Sequence, residues 1–313
     1  MNPKKIYLAP LRGVTDYLYR TLFEKYFGTF DYLLTPFITT LKGKEIPPRH
    51  IRDISEKEND RRRCIPQLIG NNAEDFIRLA EHVFTLGYPV VNLNLGCPHP
   101  QITRKKRGSG LLPYPDRIDD FLQTVIPKMH CTLSLKVRLG LDDDRDLERL
   151  MAVLNRYPLH EIIIHPRTGK QAYAGHADLD RFTAAAVQSI HPVVYNGDIA
   201  TLEDFYYREK RFPEVAGWMI GRGVARFPFL LKSLREGRTV ATDYTLLRRF
   251  HDDVFFENSS ILFGPSHLLG KMKEFWFYLC HSFPDAEKTL KSLQRCTTVA
   301  AYRRNIDSLF ARC

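Results

Sequence analysis

The sequence predicts an α/β protein: a (β/α)8 barrel followed by a small all-α helical bundle. Three observations carry this. Short apolar runs alternate with amphipathic segments of helical period from Ile6 to Glu236. The strand-like runs in that stretch number eight, the count a closed α/β barrel needs. From about Thr239 the strand pattern stops, and four helical segments joined by short polar links remain. The expected domains are therefore residues 1–238 and 239–313.

Each element has its own signal. Ile6-Tyr7-Leu8-Ala9 is the first strand, and Pro10 stops it. Asp16 is placed to cap a helix reaching Tyr26, with Leu18, Leu22 and Tyr26 on one face. Tyr32 to Thr35 is the second strand. The polar segment from Lys42 to Arg63, with Pro47-Pro48, reads as an excursion between strands. Cys64 to Gly70 is the third strand. Asn72 caps a helix whose apolar positions are Phe76, Leu79, Ala80, Val83 and Phe84. Val91 to Leu95 is the fourth strand, and a helix runs from Asp116 to about Pro127. Thr132 to Val137 alternates as the fifth strand. The helix from Asp144 to Arg156 turns Leu147, Leu150, Met151 and Leu154 inward.

Glu161 to His165, Pro192 to Asn196 and Trp218 to Ile220 complete the strands. Helices are expected over Asp178–Gln188, after Thr201, and from Pro228 to Glu236. The terminal helices read as Tyr244–Asn258, Ser266–His281, Ala286–Gln294 and Val299–Arg312.

At 313 residues with 44% apolar content, the chain can bury a large core. It has no run of 18 apolar residues, so no membrane span is expected, and the strand-like start comes too early for a signal peptide. The six cysteines are scattered, without a CxxC pair or His/Cys ligand spacing. That argues against structural zinc and a disulfide framework and fits a reducing cytoplasm. The net charge is +10. Such an excess marks either a polyanion partner or a solubility feature.

The richest stretch is Val90 to Leu112. Gly96 and Pro98 end the fourth strand and place Cys97 where it is either a small buried residue or a group facing a cleft. Arg104, Lys105, Lys106 and Arg107 follow, then Gly108-Ser109-Gly110, expected to act as a flexible hinge.

Polar residues recur at the other strand ends: Gln67, Asn94, Lys136 and Arg138, His165 and Arg167, Asn196-Gly197-Asp198, and Gly221-Arg222-Gly223. Singly, each has an ordinary alternative, such as a paired lysine or a core histidine. Together they converge on the mouth where barrels do chemistry. Backbone N–H groups after strands seven and eight suit a phosphate, and Gln67 and Asn94 can bond a heterocycle edge. The pattern describes a phosphorylated aromatic cofactor, with no carboxylate cluster or His pair to hold a metal.

These segments resemble the dihydrouridine synthase family of flavoproteins. The matching pieces are LAPLRGVTDYLYR at 8–20, QLIG at 67–70, NLNLGCPHP at 92–100, RGSGLLPYPD at 107–116, LKVRLG at 135–140, IHPRT at 164–168, YNGDI at 195–199 and MIGRG at 219–223. They span the barrel, and the Asn-x-Gly-Cys-Pro loop with the KVRLG strand is the specific pair. The bundle resembles the family's RNA-binding helices more loosely, around LLGKMKEFWFYL.

The resemblance implies FMN held by Pro10, Gln67, Asn94, Lys136, His165, Asn196, Gly197, Asp198, Gly221 and Arg222. It implies NADPH as reductant, hydride delivery to C6 of a uridine in tRNA, and Cys97 as the acid that protonates C5. RNA contacts are expected from Arg104, Lys105, Lys106, Arg107, Arg138, Arg167, Lys271, Lys273, Arg303 and Arg304. The chain departs from the family at Leu11, at Pro166, and at Gly110, where an alanine is usual; the last is expected to leave the loop more flexible. Ribosomal RNA, or a small pyrimidine or enone, are the alternative substrates.

Overall fold

The computed structural model describes residues 4–43, 46–54 and 59–313. Positions 1–3 of the strand-like start, and positions 44–45 and 55–58 of the expected excursion, lie outside the described residues. The strands are β1 (Lys5–Leu8), β2 (Tyr32–Leu34), β3 (Ile38–Thr39), β4 (Cys64–Ile65), β5 (Gln67–Ile69), β6 (Val90–Leu95), β7 (Thr132–Gly140), β8 (Ile162–Thr168), β9 (Val193–Asn196) and β10 (Gly217–Ile220). All pair in parallel, in the order β3-β5-β6-β7-β8-β9-β10-β1-β2-β4.

Pro66 explains the apparent open ends. It has no N–H to give a ladder, so one strand is divided into β4 and β5. β4 pairs with β2 through Leu33↔Cys64, while β5 pairs with β6 through Gln67↔Asn92. That shared strand closes the sheet, and the segments among the described residues fill eight barrel positions. The expected (β/α)8 barrel is what forms. β3 was not expected; two residues are too few to leave a periodic signal.

Two compact units are present. One comprises Met1–Pro10, Asp31–Asp198 and Glu209–Ile220, and carries the sheet. Its interior holds Leu34, Ile65, Ile163, Val194 and Met219, all at most 3% exposed. Each such side chain contributes about 1.5–3 kcal/mol by leaving water. At the strand starts, Tyr7 Oη donates to Glu161 Oε2 at 2.7 Å. Burial, the larger effect, pushes the Glu161 carboxyl up to about 7. Asn72 caps its helix as expected, accepting from Asp75 N, and Asp178 caps the helix Leu179–Ala186 by accepting from the backbone N–H groups of Asp180 and Arg181. The helices expected from Asp116 and Asp144 begin instead at Pro115 and Asp146, without a side-chain cap.

The other unit comprises Leu11–Phe30, Ile199–Arg208 and Gly221–Cys313. It therefore draws on residues on both sides of the 238/239 boundary read from the sequence. Asp16 caps the helix Tyr17–Phe27 by accepting from Tyr19 N at 3.0 Å. That helix sets Phe23 and Phe27 edge-on against Phe250 of the helix Tyr244–Ile261, and Lys25 and Tyr26 both bond Asp253. The remaining helices are Pro265–Leu279, Ala286–Gln294 and Val299–Phe310. Within them Tyr302 Oη accepts from Trp276 Nε1 at 2.8 Å and lies 2.6 Å from His251 Nε2, which satisfies a buried polar centre.

Candidate active site

Side chains alternate across a strand, so Asn92 and Asn94 share the inward face of β6. Ser134, Lys136 and Arg138 do the same on β7. The register places Gln67 beside Asn92, Asn92 beside Ser134, Asn94 beside Lys136, and Arg138 beside His165. A polar wall of the barrel follows from pairing alone.

Asn94 organises the loop that carries Cys97. Its Oδ1 accepts from Gly96 N at 3.0 Å and from Cys97 N at 2.8 Å. Cys97 is partly exposed. Its carbonyl accepts from both the N–H and the hydroxyl of Ser109, each at 3.1 Å. The expected flexible hinge is absent: Gly108–Leu111 is a fully buried 3-10 turn. Its glycines serve close approach. Gly108 has φ +57°, and a Cβ there would lie 2.7 Å from the Cys97 carbonyl oxygen. A Cβ on Gly110 would lie 2.5 Å from the Thr103 carbonyl oxygen. The usual alanine would clash here, so the departure at Gly110 tightens the loop.

Lys136 is largely covered. Burial, aided by the Arg138 guanidinium and opposed by Cys97, pushes its ammonium down to about 7. His165 is buried, with Nε2 3.1 Å from Arg167 Nη1. A guanidinium only donates, so His165 Nε2 accepts and the ring proton sits on Nδ1. Arg167 also donates to Asp198 Oδ2 at 2.6 Å, and Asp198 Oδ2 accepts from Ala177 N at 2.9 Å. Asp198 has φ +42°, an uncommon conformation for a residue with a side chain. Asn196 donates to Met219 O at 2.8 Å. Pro10 is partly exposed just past β1. In the other unit, Gly221 precedes the short helix Arg222–Arg226, and a Cβ on Gly223 would lie 2.0 Å from the Ile199 carbonyl oxygen.

The residues expected to touch RNA divide into two groups. Arg104 and Lys105 are exposed, and Lys106 and Arg107 are partly so. Arg107 Nε donates to Asn71 Oδ1, and Lys106 Nζ lies 4.6 Å from the Tyr114 ring centre. Arg303 and Arg304 are exposed, Arg303 lying over Phe255, and Lys273 is half-buried. Three others are committed within the protein. Arg138 is buried and donates to Thr168 O and Ala172 O at 2.8 and 2.7 Å. Arg167 is buried as described. Lys271 donates to Gly13 O and Asp16 Oδ2 at 2.7 and 2.5 Å. Sequence reasoning missed Asn92, Ser134, Ser109 and Asn71. The first two had a signal, since they stand two residues before Asn94 and Lys136 on the same inward face.

No helix among the described residues is long and apolar enough to cross a membrane. The chain is 27% identical over 237 residues to tRNA-dihydrouridine synthase B of Pasteurella multocida, covering 74% of this chain and 69% of that protein. It is 26% identical over 321 residues to tRNA-dihydrouridine(16) synthase of Cupriavidus necator, covering 97% of each. Among solved structures, histamine dehydrogenase from Rhizobium sp. 4-9 matches with a TM-score of 0.55 at 13% identity, over 80% of this chain and 49% of that one. At that identity the likeness shows the barrel fold alone. The dihydrouridine synthase model matches residues 7–252, well over half the length, and the chain belongs to the dihydrouridine synthase family.

Proposed function

We propose that this protein is a tRNA-dihydrouridine synthase, reducing a uridine of tRNA to 5,6-dihydrouridine with FMN as cofactor and NADPH as reductant. The observation that carries the reading is Cys97, held by Asn94 and Ser109 beside the polar wall of the barrel. The residues present fit FMN. Lys136 is a largely covered amine beside Cys97 and Arg138, a hydrogen-bond donor suited to an electron-rich ring or an anion. Gln67 keeps a second amide hydrogen after donating to Asn92. Pro10, Gln67, Asn94, Lys136, His165, Asn196, Gly197, Asp198, Gly221 and Arg222 form the proposed cofactor set.

When bound and reduced, FMN supplies the hydride that goes to C6 of the base. The protein residues do the rest. Cys97 gives its thiol proton to C5 as general acid. Arg167 holds His165 in one tautomer and ties it to Asp198. The target base has to leave its stack to reach a thiol at a barrel mouth, and Arg104, Lys105, Lys106 and Arg107 supply phosphate contacts beside that thiol. Residues 1–238 form the proposed catalytic domain and 239–313 the RNA-binding domain, with Lys273, Arg303 and Arg304 on its surface. Arg138, Arg167 and Lys271 organise the protein instead of the RNA.

The proposed target is the uridine at position 16. Support comes from end-to-end similarity with the Cupriavidus necator protein, which includes the helical bundle. The test is anaerobic reduction with NADPH, followed by unmodified tRNA transcript, with flavin absorbance as the readout. Rapid reoxidation by tRNA but not by free uridine is expected, with dihydrouridine mapped to position 16. Reoxidation by free uridine, or product at another position, overturns the substrate assignment. Cys97→Ala should bind FMN and be reduced by NADPH yet fail to turn over tRNA; turnover in that variant excludes the acid role.

A further inference from the structure

Below the proposed site lies an unbroken chain of buried amides. Asn94 Nδ2 donates to Gln67 Oε1 at 2.7 Å, Gln67 Nε2 to Asn92 Oδ1 at 2.8 Å, and Asn92 Nδ2 to Ser134 Oγ at 2.6 Å. Gln67, Asn92 and Ser134 are 0% exposed and Asn94 is 7% exposed, so water does not complete these bonds. The direction of the chain is forced from its upper end. A backbone N–H can only donate, so the Asn94 atom meeting Gly96 N and Cys97 N is the oxygen. Its nitrogen must then donate to Gln67, which fixes the Gln67 amide, which in turn fixes Asn92 and ends on Ser134. None of the three amides is then free to be flipped.

We propose that Asn92 and Ser134 are positioning residues for the reaction at Cys97. They anchor the lower end of a one-directional chain whose upper end is the backbone of the Cys97 loop. The inference rests on the reading of Cys97 as the reacting thiol. The two residues tolerate different changes. Asn92 must accept from Gln67 on one side, whereas on the other it meets a hydroxyl that can turn. An aspartate at 92 keeps both contacts, its second oxygen accepting from a turned Ser134 hydroxyl, at the cost of burying a carboxyl group where Asn92 is 0% exposed. A leucine of similar size severs the chain, and Ser134→Ala strands the Asn92 amide.

The test reads the loop directly. In a Cys313→Ser background, which removes the exposed terminal thiol, the alkylation rate of Cys97 by iodoacetamide is followed by peptide mass spectrometry, without cofactor or RNA. Asn92→Asp is expected within about twofold of the parent and Ser134→Ala about threefold to fivefold faster. Asn92→Leu and the double variant Asn92→Asp/Ser134→Ala are expected at least about tenfold faster. A role in packing alone would not make the aspartate depend on Ser134. Rates within twofold of the parent for Ser134→Ala and the double variant overturn the proposal, and these two keep it testable if Asn92→Leu does not fold. A wild-type protein that binds no flavin, or ignores tRNA, would defeat the proposed function while leaving this series readable.

Discussion

Replacing Gly108 by alanine tests whether the turn at Gly108–Leu111 places Cys97. The glycine has φ +57°, and its missing Cβ would sit 2.7 Å from the Cys97 carbonyl oxygen and 3.0 Å from the Cys97 Cβ. Ordinary contact begins at 3.4 Å, so the Cys97 backbone must retreat by about 0.7 Å to admit one methyl group. The left-handed backbone adds about 1–2 kcal/mol of destabilisation. A displacement approaching 1 Å at a reacting group costs up to about 100-fold in rate. We expect Gly108→Ala to fold, to bind flavin and accept hydride from NADPH normally, and to reoxidise with tRNA about 10–100 times more slowly. Gly237→Ala is the control for backbone strain. It has φ +66° at the end of the helix Leu230–Glu236, where a Cβ meets only Tyr206 Oη at 3.4 Å. It should lose comparable stability and keep the single-turnover rate. Equal rates in Gly108→Ala and the parent would show that the turn does not set the position of the thiol.

Three further outcomes are expected. Arg104→Glu/Lys105→Glu should weaken tRNA binding and lower the salt dependence of log K by about two phosphate contacts' worth, measured by filter binding across a salt series; an unchanged slope excludes the arm from the RNA interface. Glu161 has a folded-state pKa of about 7 against an ordinary 4.5, so its contribution to stability is full below pH 4.5 and is lost as pH rises to 7 and beyond. Glu161→Gln should remove up to about 3 kcal/mol of that loss between pH 5 and 8 in urea titrations; a pH-independent difference between variant and parent excludes the buried acid as its source. Lys136→Met should raise the melting temperature of the flavin-free protein by relieving a buried cation, while weakening FMN binding by about tenfold or more; unchanged affinity in a fluorescence titration removes Lys136 from the cofactor set.

Much of the fold was legible because helix and strand periods differ and because caps are local. Asp16 and Asn72 each accept from the first turn they were expected to cap. The strand-end residues were legible for the same reason: a barrel gathers strand ends whatever its detail. What the sequence does not carry is the distance between residues far apart along it. Gly108-Ser109-Gly110 has the composition of a linker, and composition cannot tell a glycine that moves from one that admits a carbonyl at close range. Arg138 and Arg167 sit beside basic, strand-end residues and read as ligands for RNA; only their carbonyl partners reveal a structural task. Gln67 and Asn94 were read singly as bonds to a heterocycle. Their pairing with each other, and through Asn92 to Ser134, needed the register of three strands.

Of the two buried arginines, Arg138 also bears on the chemistry of Lys136. Arg138 donates to the carbonyls of Thr168 and Ala172, and Arg167 to those of Ala174 and Gly175, so both hold the segment that follows β8. Carbonyl dipoles satisfy guanidinium hydrogens without cancelling their charge. Asp198 pairs with Arg167. Burial, with the Arg138 guanidinium adding to it and Cys97 opposing it, lowers the affinity of Lys136 for its proton. A covered lysine whose proton affinity burial and a neighbouring guanidinium both lower is the kind of perturbed group that gathers at functional sites.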